Sequence, residues 1–339
     1  MYIDFNTVVI AGHTGYGNAS RLLIEALGNL GVFVRPGSDV MLNFCMPWDY
    51  RYSKYTIGYT PWESTEVPSG WVEGINRVDQ LWSPTEWSSN VLAKVRGSYV
   101  HTVPHGIEDC WLPAKRHRDG PFTFLHVGEP AIRKGGELVL EAWHREFARR
   151  KDCKLIYKCS KYPMARIKDH RGSIIGSPSM YDSIEVLGQT MTQPELWELY
   201  YRADCMVYPT RGEGFGLIPF EAMASGLPTI LPREGGTGDF SHHSPLEIKN
   251  STWVRSTEQD IHPGLWLDHS VDEIIDLMLE CMDKYEPISE HAFQQGLEMH
   301  SLYSWSRVAE QVENLLCSIT GEPTRNERWA HQDEEDAWR

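Results

Sequence analysis

The sequence lacks the features of a membrane-spanning or secreted protein. In its 339 residues no apolar run approaches the roughly 20 residues needed to cross a bilayer. Residues 1–6 lack the basic start and apolar stretch of a secretory signal. The seven cysteines are odd in number, scattered, and never spaced as C-x-x-C. This pattern argues against a disulfide framework or a zinc site and favours the reducing cytoplasm.

The sequence also lacks an excess of basic residues. It has 32 Lys and Arg against 47 Asp and Glu, a formal net charge of −15. Nucleic-acid affinity depends largely on Lys and Arg neutralising phosphates, so this balance argues against a surface built for phosphate backbones, although it allows a local basic groove. Hydrophobic residues at 41% and charged residues at 23% are typical of a globular protein. The length fits two domains.

The first part of the chain reads as an α/β domain. Residues 7–10 form a short β-branched run that predicts a buried strand, and a loop with Gly12, Gly15 and Gly17 follows it. Leucines at helical spacing then predict a helix that Gly31 ends. The alternation predicts a mostly parallel sheet covered on both faces. Further strands are predicted at 32–34, 40–45, 55–59, 80–83 and 100–104, and a further helix at 88–95.

The second part repeats the alternation. Residues 122–127 predict a strand, and a loop ending in Arg133-Lys134-Gly-Gly leads into a helix. Capping boxes begin helices at Thr192 and at Ser270, each with Glu three residues later. The predicted organisation is an N-terminal domain at 1–112, a linker at 113–120, a C-terminal domain at 121–302, a helix at 303–320 and an acidic tail at 321–339. We expect the helix to pack back on the N-terminal domain and the tail to be disordered or loosely docked.

The segment that carries chemistry follows a predicted strand at 205–208. It reads Glu213-Gly-Phe-Gly-Leu-Ile-Pro-Phe-Glu221 and joins a glycine-rich turn to a helix at 217–225. Such a turn aims backbone N–H groups and the positive end of the helix dipole at one point, which suits a diphosphate. The eight-residue separation places the two carboxylates at different depths of one cleft. One can bind the hydroxyls of a sugar and the other those of a ribose.

A basic pair supports this interpretation. Arg133 and Lys134 precede a helix at the equivalent position after the strand at 122–127. In a parallel sheet that position is the second rim of the same crevice. Either feature alone is more typical of an ordinary loop with solvated charges. Together they predict a diphosphate clamp.

These residues resemble a known family. The segment from Glu213 to Glu221 looks like the E-x7-E motif of the retaining glycosyltransferases of family four. The likeness extends over most of residues 122–316 and is thinner in the N-terminal half. It implies the GT-B fold, an α/β fold with two Rossmann-like domains facing each other across a cleft. The N-terminal domain would then bind the acceptor and the C-terminal domain the nucleotide sugar.

The resemblance implies a role for each matching residue. Arg133 and Lys134 would bind the donor diphosphate, Glu221 the ribose, and Glu213 the transferred sugar. It implies retention of anomeric configuration, with the leaving diphosphate assisting attack from the same face. No metal site and no permanently bound cofactor are expected, and the donor substrate would be a UDP- or GDP-linked sugar. Further donor contacts would come from Gly15, Tyr16, Gly17, Thr190, Phe215, Gly216 and Leu217.

Two departures from the family pattern affect the reacting sugar. The family often has a histidine after a strand of the N-terminal domain, but residues 57–63 have none. Tyr59, Thr60 and Glu63 are candidates to replace it. His105 is a further candidate, although a histidine in a Pro-His-Gly turn is more often structural. The family also often has a basic residue where this chain has Glu129.

The acceptor is not specified by these motifs. The N-terminal domain is rich in tryptophan, and we expect one or two of these rings to stack on a ligand. Three hypotheses follow. The first is sugar transfer to a glycan, a lipid-linked acceptor or a small molecule, and we favour it. The second is transfer to a hydroxymethylated DNA base, and the third is a non-catalytic nucleotide-sugar-binding protein. The tryptophans are Trp48, Trp62, Trp71, Trp82, Trp87 and Trp111.

Overall fold

The computed structural model describes residues 1–7, 15–116, 118, 120–159, 166–168 and 173–327. By their internal contacts these residues form two units. Unit 1 takes its described residues from Met1–Pro61, Val67–Glu108 and Leu302–Arg339, and unit 2 from Trp62–Glu66 and Asp109–Ser301. The domain and linker bounds given above stay predictions. Within the described part of the chain, no helix is long and apolar enough to cross a membrane.

Short strands alternate with helices along both units. The strands are β1 (Tyr2–Thr7), β2 (Phe33–Val34), β3 (Val40–Phe44), β4 (Tyr55–Tyr59), β5 (Gln80–Ser83), β6 (His101–Thr102), β7 (Phe122–Val127), β8 (Cys153–Lys158), β9 (Ile167–Lys168), β10 (Ile174–Gly176), β11 (Ile184–Leu187), β12 (Cys205–Val207), β13 (Thr229–Pro232), β14 (Glu247–Ile248), β15 (Ser251–Arg255) and β16 (Leu265–His269). The α-helices are α1 (Gly15–Asn29), α2 (Val72–Arg77), α3 (Glu86–Arg96), α4 (Gly136–Ala142), α5 (Gln193–Arg202), α6 (Leu217–Ala224), α7 (Gly238–Ser241), α8 (Val271–Asp283), α9 (Tyr285–Leu302) and α10 (Trp305–Thr320).

Unit 1 is built on a six-stranded sheet in the order β2-β1-β3-β4-β5-β6, and its strands pair in parallel. Its core joins apolar side chains of the sheet to α1 and α10. Leu23 and Leu27 of α1 are buried, as are Val312 and Leu316 of α10. Their spacing puts each pair on one face of its helix. Unit 1 is therefore a Rossmann-like layer of helices on a parallel sheet.

The first strand begins earlier than the sequence predicts. It covers Tyr2–Thr7, whereas the sequence predicts a start at Thr7, and residues 8–10 of that prediction lie outside the described residues. Polar side chains interrupt the apolar pattern of Tyr2–Thr7, so the pattern does not indicate a strand there. One of them, Asn6, is buried, and its Nδ2 donates to Oδ1 of Asn43 and to the carbonyl of Asp49, each at 2.8 Å. These bonds offset the cost of burying an amide.

The predicted glycine loop is also corrected. Gly15, Tyr16 and Gly17 form the first turn of α1, so the helix begins sooner than its leucine pattern indicates. Gly12 lies outside the described residues.

Unit 2 is built on a second six-stranded parallel sheet, in the order β11-β8-β7-β12-β13-β14. Its core packs β7, β8 and β12 against α4 and α8. Helix α4 continues as a π-helical turn over Trp143–Phe147, which keeps both aromatic rings buried. The order places β7 and β12 side by side at the centre. Loops that follow these two strands therefore meet at the same edge of the sheet.

One predicted capping box forms and the other forms in part. Thr192 and Glu195 make both reciprocal bonds at the start of α5. Ser270 caps α8 by accepting from the N–H of Glu273. The Glu273 carboxylate instead accepts from the N–H groups of Lys249 and Asn250. The second box is therefore corrected to a single cap, because residues distant in sequence compete for its carboxylate.

Arg116 joins the C-terminal ends of two helices of unit 2. Its guanidinium donates to the carbonyls of Tyr200 at 2.6 Å and Ala203 at 3.0 Å, next to the end of α5. It also donates to the carbonyls of Ser225 and Gly226, each at 3.3 Å, next to the end of α6. Burial lowers the pKa of Arg116 to about 10, so it stays charged. The last carbonyls of a helix have no partner within the helix, and a cation satisfies them well.

We expect Arg116→Ala to lower the free energy of unfolding of unit 2 by about 3 kcal/mol, because several carbonyls lose a charged donor together. Thermal and urea unfolding, followed by circular dichroism, measure this change. Arg202→Ala is the matched control: Arg202 pairs at the surface with Glu185, and such a pair contributes little. Equal effects of the two substitutions would contradict the role of Arg116.

Candidate functional site

The loop between β12 and α6 holds the first glutamate of the motif in a buried position. Glu213 is 7% exposed, and Gly216, with a φ of 98°, turns the chain into α6. Gly236, which follows β13, packs against this loop so closely that a Cβ there would lie 1.8 Å from the carbonyl oxygen of Glu213. The glycines thus let the backbone fold tightly around the carboxylate.

The Glu213 carboxylate is fully engaged. Its Oε1 accepts from Nζ of Lys134 at 2.6 Å, from the Tyr208 hydroxyl at 2.8 Å and from the Thr210 hydroxyl at 3.1 Å. Its Oε2 lies 3.5 Å from Nη1 of Arg133. Burial alone would raise the pKa of Glu213, but Lys134 and Arg133 outweigh it and lower the pKa to about 2. This carboxylate is therefore ionised at neutral pH.

Arg133 and Lys134 reach this carboxylate from the neighbouring loop, between β7 and α4. A single 3₁₀ turn, Ile132–Lys134, carries both residues and ends at Gly135. Gly135 has a φ of 70°, and a Cβ there would lie 2.0 Å from the carbonyl oxygen of Pro209. The two loops are thus in backbone contact, and Nη1 of Arg133 also donates to the Gly212 carbonyl at 2.5 Å. The structure brings Glu213, Arg133 and Lys134 together.

Three further side chains lie at this group, and the sequence does not predict them there. Tyr208 and Thr210 follow β12, and their hydroxyls donate to the Glu213 carboxylate. Their positions beside the motif are a signal that could have been used. His262 comes from a distant loop, where its Nδ1 lies 4.0 Å from Oε2 of Glu63. No sequence pattern marks this histidine.

Glu221 lies on α6 and is partly buried. Burial raises the pKa of Tyr200, and the negative charge of Glu221 raises it further. The start of the same helix carries no acidic residue and no side-chain cap. Phe215, just before it, is buried against Phe220 and Phe240. Leu217, the first residue of α6, is partly buried.

Thr190 is exposed in the loop between β11 and α5. Glu129 follows β7 and lies near Lys158. Burial lowers the pKa of Lys158, and the charges of Cys159 and Glu129 oppose this only in part. Glu129 thus follows the end of β7, and Thr190 follows the end of β11. Neither is among the partners of Glu213 given above.

The site residues that the sequence predicts in unit 1 fall into two groups, one at the start of α1 and one in the core. Tyr16, on the first turn of α1, has its hydroxyl 2.9 Å from that of Thr60. Tyr59 is buried and donates to the Val103 carbonyl at 2.7 Å, with its hydroxyl 3.2 Å from Nδ1 of His105. Burial lowers the pKa of His105 to about 3, so the ring is neutral. Tyr59 and His105 are thus core residues of unit 1.

The candidates to replace the family's histidine lie in different units. Tyr59, Thr60 and His105 belong to unit 1, while Glu63 belongs to unit 2 with Glu213. Glu63 lies 4.0 Å from Nη2 of Arg133. Among the described residues, no group of three or more His, Cys, Asp or Glu side chains is placed to hold a metal ion.

The six N-terminal tryptophans differ greatly in exposure. Trp62, Trp71, Trp82 and Trp111 are buried, and Trp87 is partly buried. Trp48 is 62% exposed, and its ring meets that of Trp71 edge to face at 5.7 Å. One of the six therefore presents a broad ring surface to solvent.

Residues 121–259 match the family described as Glycosyl transferases group 1. An uncharacterized glycosyltransferase of Methanocaldococcus jannaschii is 25% identical over 198 residues, which cover 58% of this chain and 45% of that protein. The chain thus matches less than half the length of this relative.

Two solved structures share the fold. Sucrose-phosphate synthase from Thermosynechococcus elongatus has a TM-score of 0.71 at 15% identity, covering 94% of this chain and 99% of that one. Anabaena HepE in complex with UDP-glucose has a TM-score of 0.65 at 12% identity, covering 94% and 100%. Likeness at such identities establishes the fold. The chain therefore has the GT-B fold, and the match of residues 121–259 to the Glycosyl transferases group 1 model agrees with the resemblance that its motifs indicate.

Proposed function

We propose that this protein is a retaining glycosyltransferase that moves a sugar from a nucleotide-diphosphate-sugar to a hydroxyl group of its acceptor. The observation that carries the proposal is the group formed by Arg133, Lys134 and Glu213. Two cations and one ionised carboxylate lie where the loops after the central strands β7 and β12 meet. The carboxyl ends of such strands are the usual ligand site of α/β sheets.

The charges of this group suit a diphosphate. Arg133 and Lys134 supply two positive charges beside the ionised Glu213, and the N-terminus of α6 adds its positive dipole end. A glycine-rich turn before that helix leaves room for phosphate oxygens to approach the backbone of Phe215, Gly216 and Leu217. HepE, which shares the fold, was solved with UDP-glucose. A UDP- or GDP-linked sugar is the donor we propose.

Each remaining donor contact follows from its position. Glu221, one helical turn into α6, binds the ribose, and Glu213 both fixes the cations and contacts the sugar. Thr190 meets the nucleotide base from its exposed loop. The contact of Gly15, Tyr16 and Gly17 with the donor phosphates stays a prediction from the family resemblance.

Chemistry in this proposal needs no pair of catalytic carboxylates. The bond between the anomeric carbon and the diphosphate oxygen breaks while the acceptor oxygen approaches from the same face, and the acceptor proton passes to the leaving diphosphate. Arg133 and Lys134 stabilise the charge that builds on that leaving group. Fixed charges of this kind usually contribute most to catalysis. The same cations make a divalent metal unnecessary.

The acceptor we propose is a glycan, a lipid-linked molecule or a small molecule. The exposed Trp48 ring suits stacking on a sugar face. A DNA base is not proposed, since the formal charge of −15 opposes it and none of the proteins compared above is named as acting on DNA. The complete Arg133, Lys134 and Glu213 group favours an enzyme over a non-catalytic binding protein.

A reducing, cytoplasmic location fits the cysteines. All seven lie within the described residues, six are buried, and none is in a disulfide. Burial raises the pKa of Cys45 to about 12 and that of Cys153 to about 11, so these thiols are poorly reactive.

A screen of nucleotide sugars tests the proposed function. We expect slow hydrolysis of a UDP- or GDP-linked sugar in the absence of acceptor, with the released sugar first appearing in the anomeric configuration of the donor. Proton NMR during the first minutes follows the anomer before mutarotation. An inverted product would contradict retention, and the lack of turnover with every donor would contradict an enzyme.

Substitutions separate the two proposed donor contacts. We expect Lys134→Ala to lower kcat by about 100-fold, because it removes a cation from the leaving group. Glu221→Ala should instead raise the Kd for the nucleotide sugar by about 10- to 100-fold, since it removes hydrogen bonds to the ribose. Glu198→Ala, at an exposed position of α5, is the control. Wild-type kinetics of both site variants would refute the assignment.

Removal of metal ions tests the role of the cations. We expect full activity in excess EDTA, because Arg133 and Lys134 neutralise the leaving diphosphate. Initial rates with EDTA and after addition of Mg²⁺ or Mn²⁺ give the comparison. A strict requirement for a divalent ion would show that the side-chain cations are insufficient.

A further inference from the structure

The segment Trp62–Glu66 is fastened to unit 2 by its backbone and hydroxyl groups. The N–H of Thr65 donates to the Leu265 carbonyl at 3.0 Å, and the N–H of Leu265 donates back to the Thr65 hydroxyl at 2.8 Å. The Ser64 hydroxyl donates to the Pro263 carbonyl at 2.7 Å. These bonds fix the backbone on which Glu63 stands.

The same segment touches the loop of the donor site. A Cβ on Gly212 would lie 2.1 Å from the carbonyl oxygen of Glu63, so the two backbones are in direct contact. Gly212 is also the residue whose carbonyl accepts from Arg133. Glu63 is thus held beside Arg133 by the site's own loop, although the two residues are far apart in the chain.

The Glu63 carboxylate faces charged and polar groups on both sides. Its Oε1 lies 4.0 Å from Nη2 of Arg133, and its Oε2 lies 4.0 Å from Nδ1 of His262. That Nδ1 is buried and has no hydrogen-bond partner among the described residues. Lys134 and Glu213 complete the charges acting on Glu63. The Glu63 side chain is 23% exposed.

Glu63 and Glu213 share one guanidinium but differ in protonation. Burial raises the pKa of Glu63, and the negative charge of Glu213 adds to the rise, while Arg133 and Lys134 only partly oppose it. The pKa of Glu213, held by Lys134 and Arg133, is about 2. Environments that separate two neighbouring carboxylates in this way assign them different proton roles. Of the two carboxylates, Glu63 is the one whose surroundings raise its pKa.

We propose that Glu63 is a positioning residue of the donor site, which holds Arg133 while the site is empty and accepts a proton from solvent when a donor diphosphate takes over that guanidinium. The inference rests on the proposed function, in which Arg133 and Lys134 bind the diphosphate. In this proposal, binding of the donor is coupled to the uptake of one proton, and Glu63 accepts that proton.

The direction of the effect follows from the charges. A bound diphosphate engages Arg133 and adds negative charge near Glu63, and both changes favour the protonated carboxyl. Between the pKa of Glu63 in the empty site and its higher pKa in the donor complex, binding takes up a proton, so affinity falls as pH rises. Below both pKa values Glu63 is protonated in both states, and affinity is insensitive to pH. His262, whose pKa burial lowers to about 4, is the rival proton acceptor.

Calorimetry with the full chain measures this proton. UDP-glucose and GDP-glucose serve as probes, because their diphosphates do not titrate near neutral pH. Titrations in PIPES and in Tris, which differ in ionisation heat, give the protons taken up per molecule bound. For the wild type we expect net uptake, and a Kd that rises with pH by at most about tenfold per unit.

Two amide substitutions identify the acceptor of the proton. Glu63→Gln should abolish the uptake and flatten the dependence of Kd on pH. His262→Gln should keep both, and Glu66→Gln, an exposed carboxylate of the same segment, should behave as wild type. Circular dichroism establishes that each variant is folded, and His262→Gln decides the assignment should Glu63→Gln fail to fold.

The outcomes separate this inference from the function on which it rests. Binding without proton uptake in the wild type, uptake that persists in Glu63→Gln, or uptake lost in His262→Gln would each overturn the role of Glu63 and leave the donor site standing. Failure of both nucleotide sugars to bind the wild type would instead overturn the proposed donor site.

Discussion

The ion group of unit 2, formed by Arg133, Lys134 and Glu213, depends on the hydrogen bonds and ion pairs of one buried carboxylate, that of Glu213. Removing Glu213 and its cations from water is costly, and a buried ion pair is stable only when its remaining hydrogen bonds are also made. Here the Tyr208 and Thr210 hydroxyls complete the shell that Lys134 and Arg133 begin. The carboxylate thereby draws together side chains from two loops. Loss of Glu213 would remove the carboxylate that pairs with Lys134 and leave Arg133 with Glu63, at 4.0 Å.

The close packing of neighbouring segments against the loop between β12 and α6 requires glycine at three positions. A Cβ on Gly135 would meet the Pro209 carbonyl, one on Gly212 the Glu63 carbonyl, and one on Gly236 the Glu213 carbonyl, at 2.0, 2.1 and 1.8 Å. Each contact joins a different segment to the loop between β12 and α6. Glycine loses more conformational entropy on folding than other residues. The parallel sheet supplies the rigid frame on which these loops are held.

Sequence reasoning succeeds where a signal is local. The strand β4 matches the predicted 55–59 and β7 the predicted 122–127, because aromatic and β-branched residues predominate there. It misses the start of β1, where the polar Asn6 interrupts the apolar pattern, and half of the capping box at Ser270, where Lys249 and Asn250 bind the capping glutamate. The meeting of Arg133 and Lys134 with Glu213 could be anticipated from strand-end positions in a parallel sheet. The position of Glu63 could not be anticipated, because it depends on packing against Gly212 and residues 263–265, which are distant in the sequence.

A pre-formed ion group suits the proposed transfer from a nucleotide diphosphate. Arg133 and Lys134 are already largely desolvated and oriented by carboxylates, so a diphosphate bound there, as proposed, would exchange one set of negative partners for another. Little reorganisation remains for the step in which charge moves onto the leaving oxygen, and this is the condition under which fixed charges accelerate a reaction. Two carboxylates nevertheless compete with the substrate for the same cations. Protonation of one of them is the simplest way to relieve that competition, and Glu63 is the carboxylate whose surroundings favour it.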